Sequence, residues 1–294
     1  KGLQKRFKNA SIIFSKGYTS EDSNQNPKSL IKDALLTASS ADVVLFIGGL
    51  NKNRGQDCEA ADREELKLPY NQDYLISELQ KVNPNIGVLL VSGNAVSMPW
   101  ISDVKAVLQT WYLGSEAGNA IADIISGDAN PSGKLPFSFP VKLTDNSAHF
   151  FGELSYPGDG ETQYYKDGIL VGYRWHDTKN IKPLFSFGHG LSYSSFKITD
   201  IKSDKKIYTA SDSINIIYNL KNTGSKDGAE VVQVYIGMSN SNVLRALKEL
   251  KGFKKTYLRA GNQTSEIITI NVSDLSFYDE SISNWNLEKG SYTI

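Results

Sequence analysis

A single cysteine, Cys58, stands in 294 residues, so no intramolecular disulfide can brace this chain, and one thiolate cannot build a zinc site. Histidine is almost as scarce. His149, His176 and His189 lie far apart, without the short spacings by which metal ligands share a loop or helix face, and no metal is expected. Nowhere does the sequence approach the roughly 20 consecutive apolar residues of a membrane-spanning helix, so no membrane partner is expected. An excess of charge is missing too: 32 Lys plus Arg balance 32 Asp plus Glu, which removes the electrostatic reason to expect nucleic acid or an anionic membrane surface. No signal peptide is expected in this stretch. The chain opens on KGLQKRFKN without an initiating Met and stops inside a stretch that reads as a strand, so both ends are expected to be cut.

What is present is an ordinary globular composition, 40% hydrophobic and 22% charged, with length enough for two domains. The 15 Tyr and 4 Trp suit flat ligands such as sugars, and equally suit β-rich cores.

The chain is organised around Ala41 to Arg63. Val43 to Ile47 is short, uniformly aliphatic and aromatic, and predicts a fully buried strand of a parallel sheet, ended by Gly48-Gly49. The loop behind it carries Asp57, Cys58, Glu59, Asp62 and Arg63. Ligands of open α/β sheets gather outside the carboxyl ends of strands, which makes this loop the functional edge. Around it the pattern predicts the tail of a helix over 1–8, a short buried strand from Ser11 to Phe14, and a helix from Leu30 to Ser39 capped by Ser29. A helix beginning at Asn71, with Leu75, Leu79 and Val82 inward, leads to a strand from Ile86 to Val91, an apolar run from Val104 to Trp111, and a helix from Glu116 to Ile125 capped by Ser115. Such alternation implies βαβ crossovers with helices on both faces of the sheet. From Pro140 to Pro183 no period is sustained. After Tyr193 short β-branched and aromatic runs (Phe196 to Ile201, Ser213 to Leu220, Ala229 to Ile236, Ser265 to Val272, Tyr292 to Ile294) alternate with turn clusters, the pattern of an immunoglobulin or fibronectin sandwich. The expected fold is a three-layer α/β sandwich with a mostly parallel sheet over 1–195, its N-terminal part missing. An all-β fibronectin/immunoglobulin-like sandwich over 196–294, truncated at its C-terminal end, follows.

Four stretches, DCEAADREELKLPYNQ (57 to 72), WYLGSEAGNAIADIISGDANPSGKLPFSFP (111 to 140), YYKDGILVGYRWHD with PLFSFGHGLSYSSF (164 to 196), and LKELKGFKK with DLSFYDE (247 to 255 and 274 to 280), together resemble glycoside hydrolase family 3, chiefly its β-glucosidases. The resemblance spans nearly the whole chain and implies the α/β sandwich and fibronectin type III-like domains of that family. The family's (β/α)8 barrel, which carries the nucleophilic Asp and most of the sugar pocket, is absent from this sequence. The implied activity is exo-acting hydrolysis of terminal β-D-glucosyl residues with retention, without cofactor, on a β-linked oligosaccharide or glycoside. A β-xylosidase or other exo-glycosidase of the family, and a noncatalytic carbohydrate-binding module, are the alternatives. The isolated chain is expected to be inactive for want of a nucleophile, and a periplasmic or secreted location follows from the resemblance. An apolar face left for the barrel would also favour a homo-oligomer.

Matching the family's Glu-Gly-x-Asp-Arg pattern to Glu59-Ala60-Ala61-Asp62-Arg63 implies that Glu59 is the acid/base. Ala60 stands where the family usually has Gly; a Cβ there is either harmless or bars a backbone angle that aims Glu59. Asp57, Asp62 and Arg63 support the loop, with Asp57 the rival acid if the register is misread. Trp100 and Trp111 are candidates for stacking on a sugar face, with core packing as the alternative. Ser92-Gly93-Asn94-Ala95 lacks the spacing and the lysine of a phosphate cradle. Trp175, His176 and His189 fall in family hallmarks that resemble packing and interdomain segments.

Overall fold

Three aliphatic runs form a parallel sheet in the computed structural model, which describes residues 1–20 and 27–294. The strands β1 (Val44–Gly49), β2 (Ile86–Val91) and β3 (Ala106–Gln109) lie in the order β1-β2-β3. Central β2 is the most apolar, and Ile86, Val88, Leu89 and Leu90 are all buried. Successive side chains of a strand point to opposite faces. On β1, Phe46 packs inward against the Tyr18 ring, centroids 6.0 Å apart, whereas Ile47 is 54% exposed and Val43 lies outside the strand. The expectation of a fully buried strand is thus corrected: one face of β1 is covered and the other is open.

Helices complete this first unit, residues 1–128 with 139–143. α1 (Gly2–Arg6) packs so closely on α4 (Ala117–Ser126) that a Cβ on Gly2 would strike the Gly118 carbonyl, and Arg6 pairs with Asp123. α2 (Pro27–Ser39) is tied to α3 (Gln72–Val82) by Asn83, whose amide donates to the carbonyls of Ala38 and Ala41. Leu75 and Leu79 face inward as predicted, with Ile76 beside them, but Val82 is exposed. Ser29 lies within α2, which starts at Pro27, a residue whose fixed φ suits the first helical turn, so Ser29 is not the cap. Glu116 rather than Ser115 is the N-cap of α4. The expected strand from Ser11 to Phe14 does not form. Ile13 and Phe14 are exposed, and among the described residues no strand pairs with the run.

The second unit comprises residues 129–138 and 144–294. Two short helices occupy the stretch without periodicity: α5 (Ser147–Phe150), capped by the Asn146 side chain, and α6 (Tyr173–Lys179). Trp175 of α6 is buried between Phe150 and Phe151 and donates to the Asp145 carbonyl. Strands β4 (Phe196–Ser203), β5 (Ser213–Asn222) and β8 (Gln263–Asn271) form one antiparallel sheet, and β6 (Gly228–Ile236) pairs with β7 (Glu249–Leu258). On β5 every second residue from Ile214 to Leu220 is buried, and these side chains meet Val232, Val234, Ile236, Ile268 and Ile270 in one sandwich core. The hairpin β9 (Phe277–Asp279) and β10 (Asn284–Asn286) follows. Tyr292 to Ile294 is not a strand; Thr293 makes a single bridge to Gly237.

Candidate active site

The chain leaves β1 through a glycine pair that the sheet requires. A Cβ on Gly48 would enter the Gln72 amide, and one on Gly49, at φ 137°, would strike the Val91 backbone. Gln72, fully buried at the start of α3, mimics a neighbouring strand: its Oε1 accepts from the Gly49 N–H at 2.7 Å and its Nε2 donates to the Gly49 carbonyl at 2.9 Å. These bonds satisfy backbone groups that would otherwise be orphaned in the core.

Beyond the glycines, the loop is pinned twice. The Tyr70 hydroxyl accepts from Asn51, Asn53 and Gln56, at 3.3, 3.1 and 2.6 Å. Burial pushes the Tyr70 phenol up, but these three donors prevail and hold it below its ordinary value. Asp57 makes the second pin. Its carboxylate, 9% exposed, accepts from the Gly93 N–H at 2.6 Å, the Asn94 amide at 2.5 Å and the Tyr112 hydroxyl at 2.7 Å. Burial, the hydrogen bond to Asp57 and the Asp57 charge all raise the Tyr112 phenol, which stays a neutral donor. The segment 92–95 thus spends its Gly93 N–H on a carboxylate of the chain itself. Lys52 lies over the Tyr112 ring, 4.7 Å from its centroid.

Arg63 closes the loop. Its Nη2 donates to the Ala95 carbonyl at 2.7 Å and its Nε to the Glu65 carbonyl at 3.2 Å, while Nη1 is buried without a partner among the described residues. Burial lowers the guanidinium from its ordinary value and the nearby Asp57 charge opposes that. Asp62 lies on the exposed part of the same loop, and Cys58 Sγ approaches the Ala61 carbonyl at 3.5 Å.

Glu59 stands two residues beyond the Asp57 pin and is exposed, with no hydrogen bond or ion pair among the described residues. Ala60 follows in the left-handed region, φ 61°, a conformation that costs an L residue about 1–2 kcal/mol and that Gly adopts freely. The departure from the family pattern therefore falls where the backbone favours Gly.

Trp100 cannot stack on a ligand: it is 1% exposed and its Nε1 donates to Asp73 at 2.8 Å, so both ring faces belong to the core, and that expectation is corrected. Trp111 is half-buried at φ 58°, an outlier for so bulky a residue, two residues past the end of β3 and beside Tyr112. Sequence reasoning missed Tyr112, Tyr70 and Gln72. All three lie within the quoted family stretches, but only the folded chain shows what they bind.

The geometry has counterparts. The family model described as "Glycosyl hydrolase family 3 C-terminal domain" matches residues 1–193, and "Fibronectin type III-like domain" matches residues 230–294. Beta-glucosidase BoGH3A of Bacteroides ovatus is 45% identical over 99% of this chain and 40% of its own length. Thermostable beta-glucosidase B of Acetivibrio thermocellus is 40% identical over 96% of this chain and 37% of its own. Among solved structures, the GH3 beta-glucosidase of Bifidobacterium adolescentis superposes with a TM-score of 0.89 at 32% identity, over 99% of this chain and 42% of that one. DesR, a beta-glucosidase from Streptomyces venezuelae in complex with D-glucose, gives 0.84 at 37% identity, over 90% of this chain and 33% of that one. The chain thus spans about two-fifths of the length of the curated relatives it matches. With a family model covering its first 193 residues and a second model covering most of the rest, the chain belongs to glycosyl hydrolase family 3.

Proposed function

We propose that this chain supplies the acid/base, Glu59, to a retaining exo-β-glucosidase whose active site is completed by a (β/α)8 barrel. One observation carries the assignment: within a loop whose other anchors are committed, Glu59 presents a carboxyl with no partner among the described residues. Asp57, the rival acid, already accepts three hydrogen bonds. The family membership and the relatives named beta-glucosidases support the substrate class.

Retaining hydrolysis uses two carboxyls about 5–5.5 Å apart. One attacks the anomeric carbon to form a glycosyl-enzyme; the other gives a proton to the departing oxygen and then takes one from the attacking water. Glu59 performs the second task. The nucleophile lies on the barrel, so the isolated chain should not turn over an aryl β-glucoside.

The test compares wild type with Glu59→Ala in the full-length gene product. Collapse of activity mainly on poor leaving groups, with azide restoring turnover as a glucosyl azide of retained configuration, is the expected result. Wild-type behaviour of the variant would overturn the assignment.

A further inference from the structure

Within the second unit, α6, β6 and the start of β7 surround a cavity of about 330 Å³, at the lower end of the roughly 300–1,000 Å³ of small-molecule sites. Its walls are aromatic. Tyr173 stacks on Phe187 with ring centroids 4.8 Å apart and meets Tyr235 edge-on at 5.7 Å. The Tyr235 phenol, pushed up to about 12 by burial and by Tyr173 and Asp177, is neutral, and it donates to Gln233, whose amide in turn reaches the Gly188 carbonyl. The aromatic wall is therefore fixed before any ligand arrives.

The polar groups of the cavity are left incomplete. His176 is 5% exposed, and its Nδ1 lies 2.9 Å from the Ile181 carbonyl. A carbonyl only accepts, so Nδ1 carries a hydrogen, and in the neutral imidazole Nε2 offers a lone pair that no described residue takes up. The buried Ser138 hydroxyl accepts from the Phe187 N–H, and the Tyr173 hydroxyl accepts from the Leu250 N–H; each keeps its own hydrogen to give. Asp177 and Lys248, 3.3 Å apart and partly exposed, add a carboxylate and an ammonium group whose charges cancel.

A ligand for this cavity needs one donor for His176, acceptors for Ser138 and Tyr173, no net charge, and apolar C–H groups for the rings. A sugar ring has all four, because every hydroxyl both donates and accepts and the ring carries an apolar face. We infer that the cavity binds a single neutral pyranose ring, its C–H groups against the aromatic lining of Tyr173, Phe187 and Tyr235 and its hydroxyls hydrogen-bonded by His176, Ser138, Tyr173, Asp177 and Lys248. Binding here makes and breaks no covalent bond.

Saturation-transfer difference NMR on the whole chain with methyl β-D-glucopyranoside tests this. Transfer from aromatic protons to the sugar is expected. Asp177→Asn and Lys248→Ala, both at partly exposed positions, should each weaken binding about tenfold, the loss of one charge-assisted hydrogen bond, without lowering the melting temperature by more than a few degrees. Glu59→Gln should leave binding unchanged. No transfer at tens of millimolar sugar, or transfer indifferent to Asp177→Asn and Lys248→Ala, overturns the inference. Transfer lost only in Glu59→Gln overturns it while leaving the proposed function standing.

Discussion

Asp57 and Tyr112, 55 positions apart, meet through a 2.7 Å hydrogen bond in which the phenol donates to the carboxylate. Together with Gly93 and Asn94 they join the carboxyl ends of β1, β2 and β3, so the loop bearing Glu59 is fastened to all three strands of the sheet.

Removing the phenol should loosen that fastening. A hydrogen bond to a charged group contributes about 1.5–3 kcal/mol, and partial exposure of Tyr112 reduces this to roughly 1 kcal/mol. Tyr112→Phe should lower the urea midpoint accordingly and open the segment 58–63 to limited proteolysis. An unchanged midpoint with an unchanged cleavage pattern would mean that the bond does not hold the loop.

Ala60 gives a prediction of opposite sign. At φ 61° its Cβ is strained, and Ala60→Gly relieves the strain while adding unfolded-state entropy. The net expectation is a gain of about 0.5–1 kcal/mol in denaturant unfolding. A loss of stability would show that the Ala60 methyl makes contacts worth more than the strain.

These two positions mark how far the sequence could be read. β2 was legible because a central strand of a parallel sheet is apolar on both faces, and Ile86 to Val91 is aliphatic but for Gly87. The same reasoning misled for Ser11 to Phe14, since composition marks a run as apolar but does not say whether a strand exists to pair with it. β7 escaped notice because Phe253, Lys254 and Lys255 are exposed in succession and break the alternation, and α6 because seven residues, YRWHD included, are too few to establish a period. The Asp57 anchors could not be read at all: 36, 37 and 55 positions separate them from it, and only sheet topology brings them together.

Gln72 tests the glycine turn that starts the loop. Gln72→Leu keeps the volume and removes bonds to the Gly49 N–H, the Gly49 carbonyl and the Pro69 carbonyl. Leaving the Gly49 groups buried and unsatisfied should cost about 2–4 kcal/mol, read as a drop in urea midpoint. A loss below about 0.5 kcal/mol would mean that water or a shifted backbone replaces the amide.

The sandwich should answer to acid through two aspartates. Asp204 accepts from the Tyr208 hydroxyl and from the backbone and side chain of Asn215, which hold its carboxyl down to about 2. Asp212, bonded by the Thr209 N–H, Lys205 and the Thr209 hydroxyl, is likewise held at about 2 against an ordinary 3.8. A carboxyl depressed in the folded state stabilises it fully above the unfolded value of 3.8, and that stability is lost as pH falls toward 2. The urea midpoint of wild type should therefore decline between about pH 4 and pH 2. Asp204→Asn/Asp212→Asn should be less stable at neutral pH and decline less over the same interval. Asp227, Asp279 and Glu288 are also depressed, so the decline shrinks without vanishing. A double variant that declines as steeply as wild type would assign the acid sensitivity to those other carboxyls. Since Asp204 and Asp212 are solvated, added salt should reduce the part of the effect that comes from Lys205 and spare the part carried by Tyr208, Asn215 and Thr209.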